Sequence, residues 1–156
     1  MTATIATGPS RWAQLLGYGG LIPFIVLAAA TWLAPPDWRS YIGLALLGYG
    51  ATITSFIGAI HWGLVMRDES LPSRPSPLVL TWGVVPSLMA WLALMLGLVS
   101  GPTAGLCVIA ALLWLCFAVD RMAYPRFNAQ AWLPMRLALT LVASASCIVG
   151  AWGMLR

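Results

Sequence analysis

The chain has 156 residues, 61% of them hydrophobic and only 8% charged, with a formal net charge of +4. A soluble domain carries roughly 25% charged residues, so too few are present here to cover a water-facing surface, and most of the exterior must face lipid. All eight basic residues are arginine, scattered near hydrophobic boundaries. With no zinc-finger or RNA-binding signature beside them, they argue for headgroup anchors and against a nucleic-acid partner.

In chain order, residues 1–14 predict a short cytoplasmic segment and 15–156 a single transmembrane domain. The N-terminal segment carries one arginine, Arg11, and no apolar core of its own. It therefore predicts neither a cleavable signal peptide nor a mitochondrial presequence, and the first span serves as the insertion signal. The fold class is all-α, a polytopic helical bundle. Its five spans are read as Leu15–Leu33, Tyr41–Met66, Leu78–Val99, Thr103–Tyr124 and Leu133–Leu155. Each is long enough to cross a bilayer core of about 30 Å with some tilt.

Turn-forming residues separate the spans: Pro35-Pro36-Asp37, then Arg67 to Pro77, Gly101-Pro102, and Pro125 to Pro134. No internal repeat is visible, and five spans do not divide into the matched halves of an inverted-repeat transporter.

With five crossings, Arg11, Arg67, Arg74, Arg121, Arg126 and Arg136 share one side, against Arg39 and Arg156 on the other. Six against two places the N-terminus inside and the C-terminus outside. Aromatic residues mark both edges: Trp12, Trp82, Tyr124 and Trp132 on the inner one, Trp32, Trp38, Tyr41 and Trp152 on the outer one.

The first span opens with Gly17, Gly19 and Gly20 close to Pro23, and the third contains Pro86. Gly19, Gly20, Pro23 and Pro86 are expected to break or kink their helices. In the second span Gly50, Thr54 and Gly58 recur every four residues, and Ser55, Ala59 and Gly63 form a parallel row. Small residues at that spacing let helix backbones approach closely, so this helix is expected near the centre of the bundle.

Chemistry concentrates in three ionisable residues within or beside apolar runs: His61, Asp120 and Arg136. Asp120 sits near the C-terminal end of its span and Arg136 near the N-terminal end of the next, each where the helix dipole disfavours its charge. A cross-helix pair removes both penalties. Arg121 is the rival partner for Asp120, but adjacent helical residues point apart. His61 lies about 9 Å along its helix from the boundary at Arg67, on the stripe of Gly50, Thr54 and Gly58. The expectation is one inward-facing polar site of His61, Asp120 and Arg136, with Trp62, Thr81, Trp82 and Ser87 lining the same pocket. Ionisable groups inside a membrane are functional candidates by default. The competing reading is an ion pair that locks two helices.

No cofactor is expected. A single histidine excludes bis-histidine haem within the chain. Cys107, Cys116 and Cys147 have neither zinc-ligand nor CxxC spacing, so they predict no metal and no disulfide. No GxSxG, HExxH, P-loop or dinucleotide fingerprint is present, and no catalytic residue can be named.

The run Leu16-Gly17-Tyr18-Gly19-Gly20-Leu21-Ile22-Pro23-Phe24, the stretch from Tyr49-Gly50 to Gly58-Ala59-Ile60-His61-Trp62-Gly63, and Val85-Pro86-Ser87 with Ala90-Trp91 together resemble the transmembrane protein 69 family. Its bacterial members carry a domain of unknown function. The resemblance covers nearly the whole chain, and Gly58 to Gly63 is its most specific piece. It implies a polytopic protein of bacterial inner membranes, or of mitochondria among eukaryotic relatives, with no reaction or substrate to transfer. It also lends weight to His61, Trp62 and Pro86.

Three functions compete. The first is an accessory or assembly protein that binds another membrane complex, supported by the scarcity of extramembrane mass and of enzyme motifs. The second is a small-solute or proton carrier or channel using His61, Asp120 and Arg136. The third is an enzyme acting on lipid or quinone. Expected partners are the lipid bilayer of a bacterial inner membrane and another membrane protein or a second copy of the chain.

Overall fold

The computed structural model describes residues 8–67 and 77–156. Every regular element among them is helical. Five segments are long and apolar enough to cross a membrane: Arg11–Leu33, Pro36–Arg67, Pro77–Ser100, Pro102–Phe127 and Gln130–Gly153. The expected loop from Arg67 to Pro77, with Arg74, falls almost wholly outside the described residues.

The first crossing is built from two helices, α1 (Arg11–Gly19) and α2 (Ile22–Leu33). Ser10 caps α1, its hydroxyl accepting from the Ala13 N–H at 3.2 Å. The chain then turns at Gly20 and Leu21 before Pro23 enters the first turn of α2. The carbonyl of Gly20 accepts from the Tyr49 hydroxyl at 2.8 Å, so a backbone group at the break gains a partner inside the bundle.

α2 ends at Ala34 in extended geometry ahead of Pro35 and Pro36. The next helix, α3 (Pro36–Arg67), starts five residues earlier than the apolar pattern predicts. Pro36 at its first position and Asp37 in its first turn are favourable helix-start residues, which the apolar pattern alone overlooks. At 32 residues α3 is the longest helix. Its length of about 48 Å exceeds the hydrocarbon core, so it tilts or projects beyond it.

α4 (Pro77–Ser100) and α5 (Pro102–Ala123) are joined by Gly101 alone, at φ +89°. Only glycine adopts that conformation without strain, and Pro102 then starts α5. Pro86 does not break α4, which continues through it. The proline ring is accommodated because Gly58 on α3 leaves it room: a Cβ there would lie 3.1 Å from the ring.

Two 3-10 turns, Tyr124–Phe127 and Gln130–Trp132, lead into α6 (Leu133–Gly153). Asn128 between them has φ +53°, a left-handed position that asparagine tolerates.

α3 packs against α2, α4, α5 and α6 and is the central helix. Close approach there depends on small residues. A Cβ at Gly58 would meet the Gly83 carbonyl of α4 at 2.8 Å, and one at Gly105 of α5 the Ala93 carbonyl of α4 at 2.6 Å. Leu46, Leu47, Leu106, Ile109, Leu113 and Phe24 fill the interior. The Phe24 ring stands edge-on to Tyr49 at 5.0 Å. Large apolar side chains cover the outside, Leu33 and Val99 being 85% and 87% exposed. Such a surface requires the lipid bilayer as its solvent.

Candidate functional site

Asp120 lies in the last turn of α5 and Arg136 in the first turn of α6. The two short 3-10 turns between them fold the chain back on itself and bring both residues to one depth. Arg136 Nε donates to Asp120 Oδ2 at 2.8 Å, and Nη2 stands 2.7 Å from the same oxygen, too far off line for a second hydrogen bond. Arg136 thus grips one carboxylate oxygen and leaves Oδ1 to the other side. There His61 of α3 places Nε2 at 3.5 Å, beyond a good hydrogen bond but well within electrostatic range. Arg121 is exposed and stands apart.

The three side chains tie three crossings together at the arginine-rich end. Asp120 is fully buried, His61 is 1% exposed and Arg136 8%. Tyr124, one turn beyond Asp120, is buried with its ring 6.3 Å from the imidazole. Its ring therefore packs inside the bundle instead of facing lipid. The Tyr124 N–H still donates to the Asp120 carbonyl in α-helical geometry, so its i+4 spacing puts the ring on the same inward face as Asp120. Cys116, one turn before Asp120, is also buried. Among the described residues no cluster of three His, Cys, Asp or Glu side chains is positioned to hold a metal ion.

Beside this group lies a cavity of about 910 Å³, bounded by α1, α2, α3, α5, the 3-10 turns and α6. Leu16, Leu21, Phe24, Ile53, Ile57 and Leu139 supply much of its apolar wall, and Arg136, Tyr124 and Thr140 its buried polar groups. Arg67 and Arg126 line it at the arginine-rich end. Neither His61 nor Asp120 reaches it.

The four residues expected to line a shared pocket are elsewhere, on the α3–α4 side. Trp62 projects outward and donates from Nε1 to the Leu80 carbonyl at 3.0 Å. Thr81 is exposed, Trp82 packs on the hydrophobic core, and the Ser87 hydroxyl donates to the Val84 carbonyl at 2.7 Å. The reason is helical phase. Similar depth does not put residues on the same face, and Trp62 follows His61 by about 100° of rotation.

Sequence reasoning missed Thr140 and the cavity it faces. Thr140 sits one turn beyond Arg136, is 1% exposed, and its hydroxyl has no hydrogen-bond partner among the described residues. Its i+4 spacing from Arg136 is the signal that could have found it.

The profile of a protein family of unknown function, DUF3429, matches residues 9–152. The chain belongs to this family. It is 40% identical over 86 residues to Transmembrane protein 69 of Xenopus tropicalis, covering 53% of this chain and 32% of that protein. To Transmembrane protein 69 of Mus musculus it is 32% identical over 101 residues, covering 60% of this chain and 38% of the relative. The matched segment thus spans about a third of the length of these curated relatives. No solved structure matches the chain. Family membership and the five apolar crossings make it a multi-span membrane protein of the DUF3429 and transmembrane protein 69 family.

Proposed function

We propose that this protein is an accessory or assembly factor that binds another membrane complex, and that His61, Asp120 and Arg136 lock its helices rather than carry a solute. The supporting observation is that His61 and Asp120 are sealed, 1% and 0% exposed, and stand outside the adjacent cavity. A carrier site must open to the solute, whereas a buried ion pair between α5 and α6 fixes the relative position of two crossings. In this reading the protein lies in a bacterial inner membrane. The positive-inside distribution of its arginines sets the N-terminus inside and the C-terminus outside.

Isolation from native membranes in a mild detergent tests the reading. The expected result is co-elution with a larger membrane complex at a fixed ratio, retained by His61→Ala. Elution of the chain alone from membranes of growing cells contradicts it.

One observation favours the carrier alternative: among the described residues, His61 Nε2 and Asp120 Oδ1 face each other at 3.5 Å without a hydrogen-bond partner. Buried polar atoms without partners recur at sites that handle protons. Proton flux in proteoliposomes that disappears with His61→Ala supports that alternative.

A further inference from the structure

We propose that the cavity between α1, α3 and α6 is a binding site for one anionic phospholipid taken laterally from the bilayer. This goes beyond the accessory reading and does not rest on it. Three independent features of the site point to an amphiphile of that charge.

The first is the way in. Leu16 of α1 and Phe56 of α3 both line the cavity, yet they are 75% and 66% exposed. No residue of α1 is buried. The cavity therefore opens sideways between α1 and α3, onto the surface that faces lipid, so a molecule dissolved in the bilayer reaches it without crossing water.

The second is charge. Arg67 and Arg126 stand on the wall at the end where the headgroups lie, and Arg136 lies deeper. Among the described residues no carboxylate lines the cavity. Arg136 is already paired with Asp120, but Arg67 and Arg126 are exposed, and among the described residues Arg67 donates to the Phe127 carbonyl at 3.3 Å. Two guanidinium groups at headgroup depth suit a phosphate, which they bind by charge-assisted hydrogen bonds.

The third is the built polar step below that mouth. The Thr140 hydroxyl is buried, without a partner among the described residues, and on the cavity wall. One turn above it, the Arg136 Nη2 group also has N–H capacity to spare. A hydroxyl and a guanidinium at this depth match the ester oxygens that lie between a phosphate and its acyl chains. Deeper still the wall is apolar, with Phe24, Ile53, Leu113 and Ala143. The order from the mouth inward is thus cationic, hydrogen-bonding and apolar, which is the order of groups along an anionic phospholipid. A volume of about 910 Å³ sits within the range of about 300–1,000 Å³ typical of small-molecule sites.

The test is native mass spectrometry of the full chain released from nanodiscs of phosphatidylcholine doped with phosphatidylglycerol. The expected result is one retained phosphatidylglycerol, enriched over its share of the bilayer. Arg67→Gln/Arg126→Gln should lower retention by about tenfold or more, as expected for losing charged hydrogen bonds. Both arginines are exposed, so that variant keeps its fold, which circular dichroism verifies. Thr140→Val, nearly equal in volume, should lower retention while leaving the unfolding midpoint in lipid-free detergent at or above that of wild type, because it removes a buried unpaired hydroxyl.

Equal retention of the two lipids, or undiminished retention by the double variant, overturns the proposal. So does thermal stabilisation by inorganic phosphate equal to that by phosphatidylglycerol, which would mean a site for a free anion. Preferential retention of a neutral isoprenoid quinone would likewise overturn it.

Discussion

Arg136 binds Asp120 through a single carboxylate oxygen, Oδ2, at 2.8 Å from Nε, and leaves Oδ1 turned toward His61 at 3.5 Å. The pair closes the connection between α5 and α6, while the imidazole sets α3 beside it. All of this is buried, so the effect of removing a charge depends on what remains behind.

Asp120→Asn or Arg136→Gln alone should destabilise the protein by about 3–5 kcal/mol, the usual cost of leaving one buried charge unpaired. The double variant Asp120→Leu/Arg136→Met should recover most of that loss, because it leaves no orphaned charge. Reversible unfolding in mixed micelles measures all three. A double variant as unstable as the sum of the singles would refute the pairing.

The helix contacts give a second contrast. Gly58→Val places a Cβ 2.8 Å from the Gly83 carbonyl, so α3 and α4 must separate, at a cost of about 1–3 kcal/mol. Gly48→Ala and Gly63→Ala meet nothing within 4 Å and should leave stability unchanged or slightly raised. Thermal unfolding in detergent distinguishes these outcomes directly.

How much of this is legible in the sequence varies with the kind of information. The five apolar crossings are legible, since uninterrupted runs bounded by proline and glycine have few other solutions in water or lipid. The depth of a residue such as Asp120 is legible too, because each helical residue advances a fixed 1.5 Å from a recognisable end. Facing is not. Trp62 shares a depth with His61 but points outward, and Tyr124 reads as a lipid-facing anchor although its i+4 spacing from Asp120 turns it inward. Helix starts are half legible: Pro36 and Asp37 look like a loop, yet they begin α3. The cavity is invisible in the sequence because it arises from the way α1, ahead of the break at Gly20, meets the bundle at α6 through Gly17 and Met135 and leaves a gap beside α3. No pattern within a single helix encodes that.

Tyr49→Phe tests the role of that break. It removes the hydroxyl that donates to the Gly20 carbonyl at 2.8 Å, at an expected cost of about 1 kcal/mol. Amide hydrogen exchange should rise locally from Gly17 to Phe24 and stay unchanged in α5. A uniform increase across all helices would contradict a local role.

Orientation can be read with thiol labelling in a chain whose Cys107, Cys116 and Cys147 are replaced by alanine. Tyr41→Cys should react with a membrane-impermeant maleimide in intact bacterial spheroplasts, and Gln130→Cys only after permeabilisation. The reverse order would overturn the positive-inside assignment.

The most direct measurement of the central claim is proton flux through the purified chain in sealed liposomes under an imposed pH gradient. A structural lock formed by His61, Asp120 and Arg136 predicts flux no greater than in protein-free liposomes, for wild type and His61→Ala alike. Flux well above that background in wild type, abolished in a correctly folded His61→Ala variant, would contradict it.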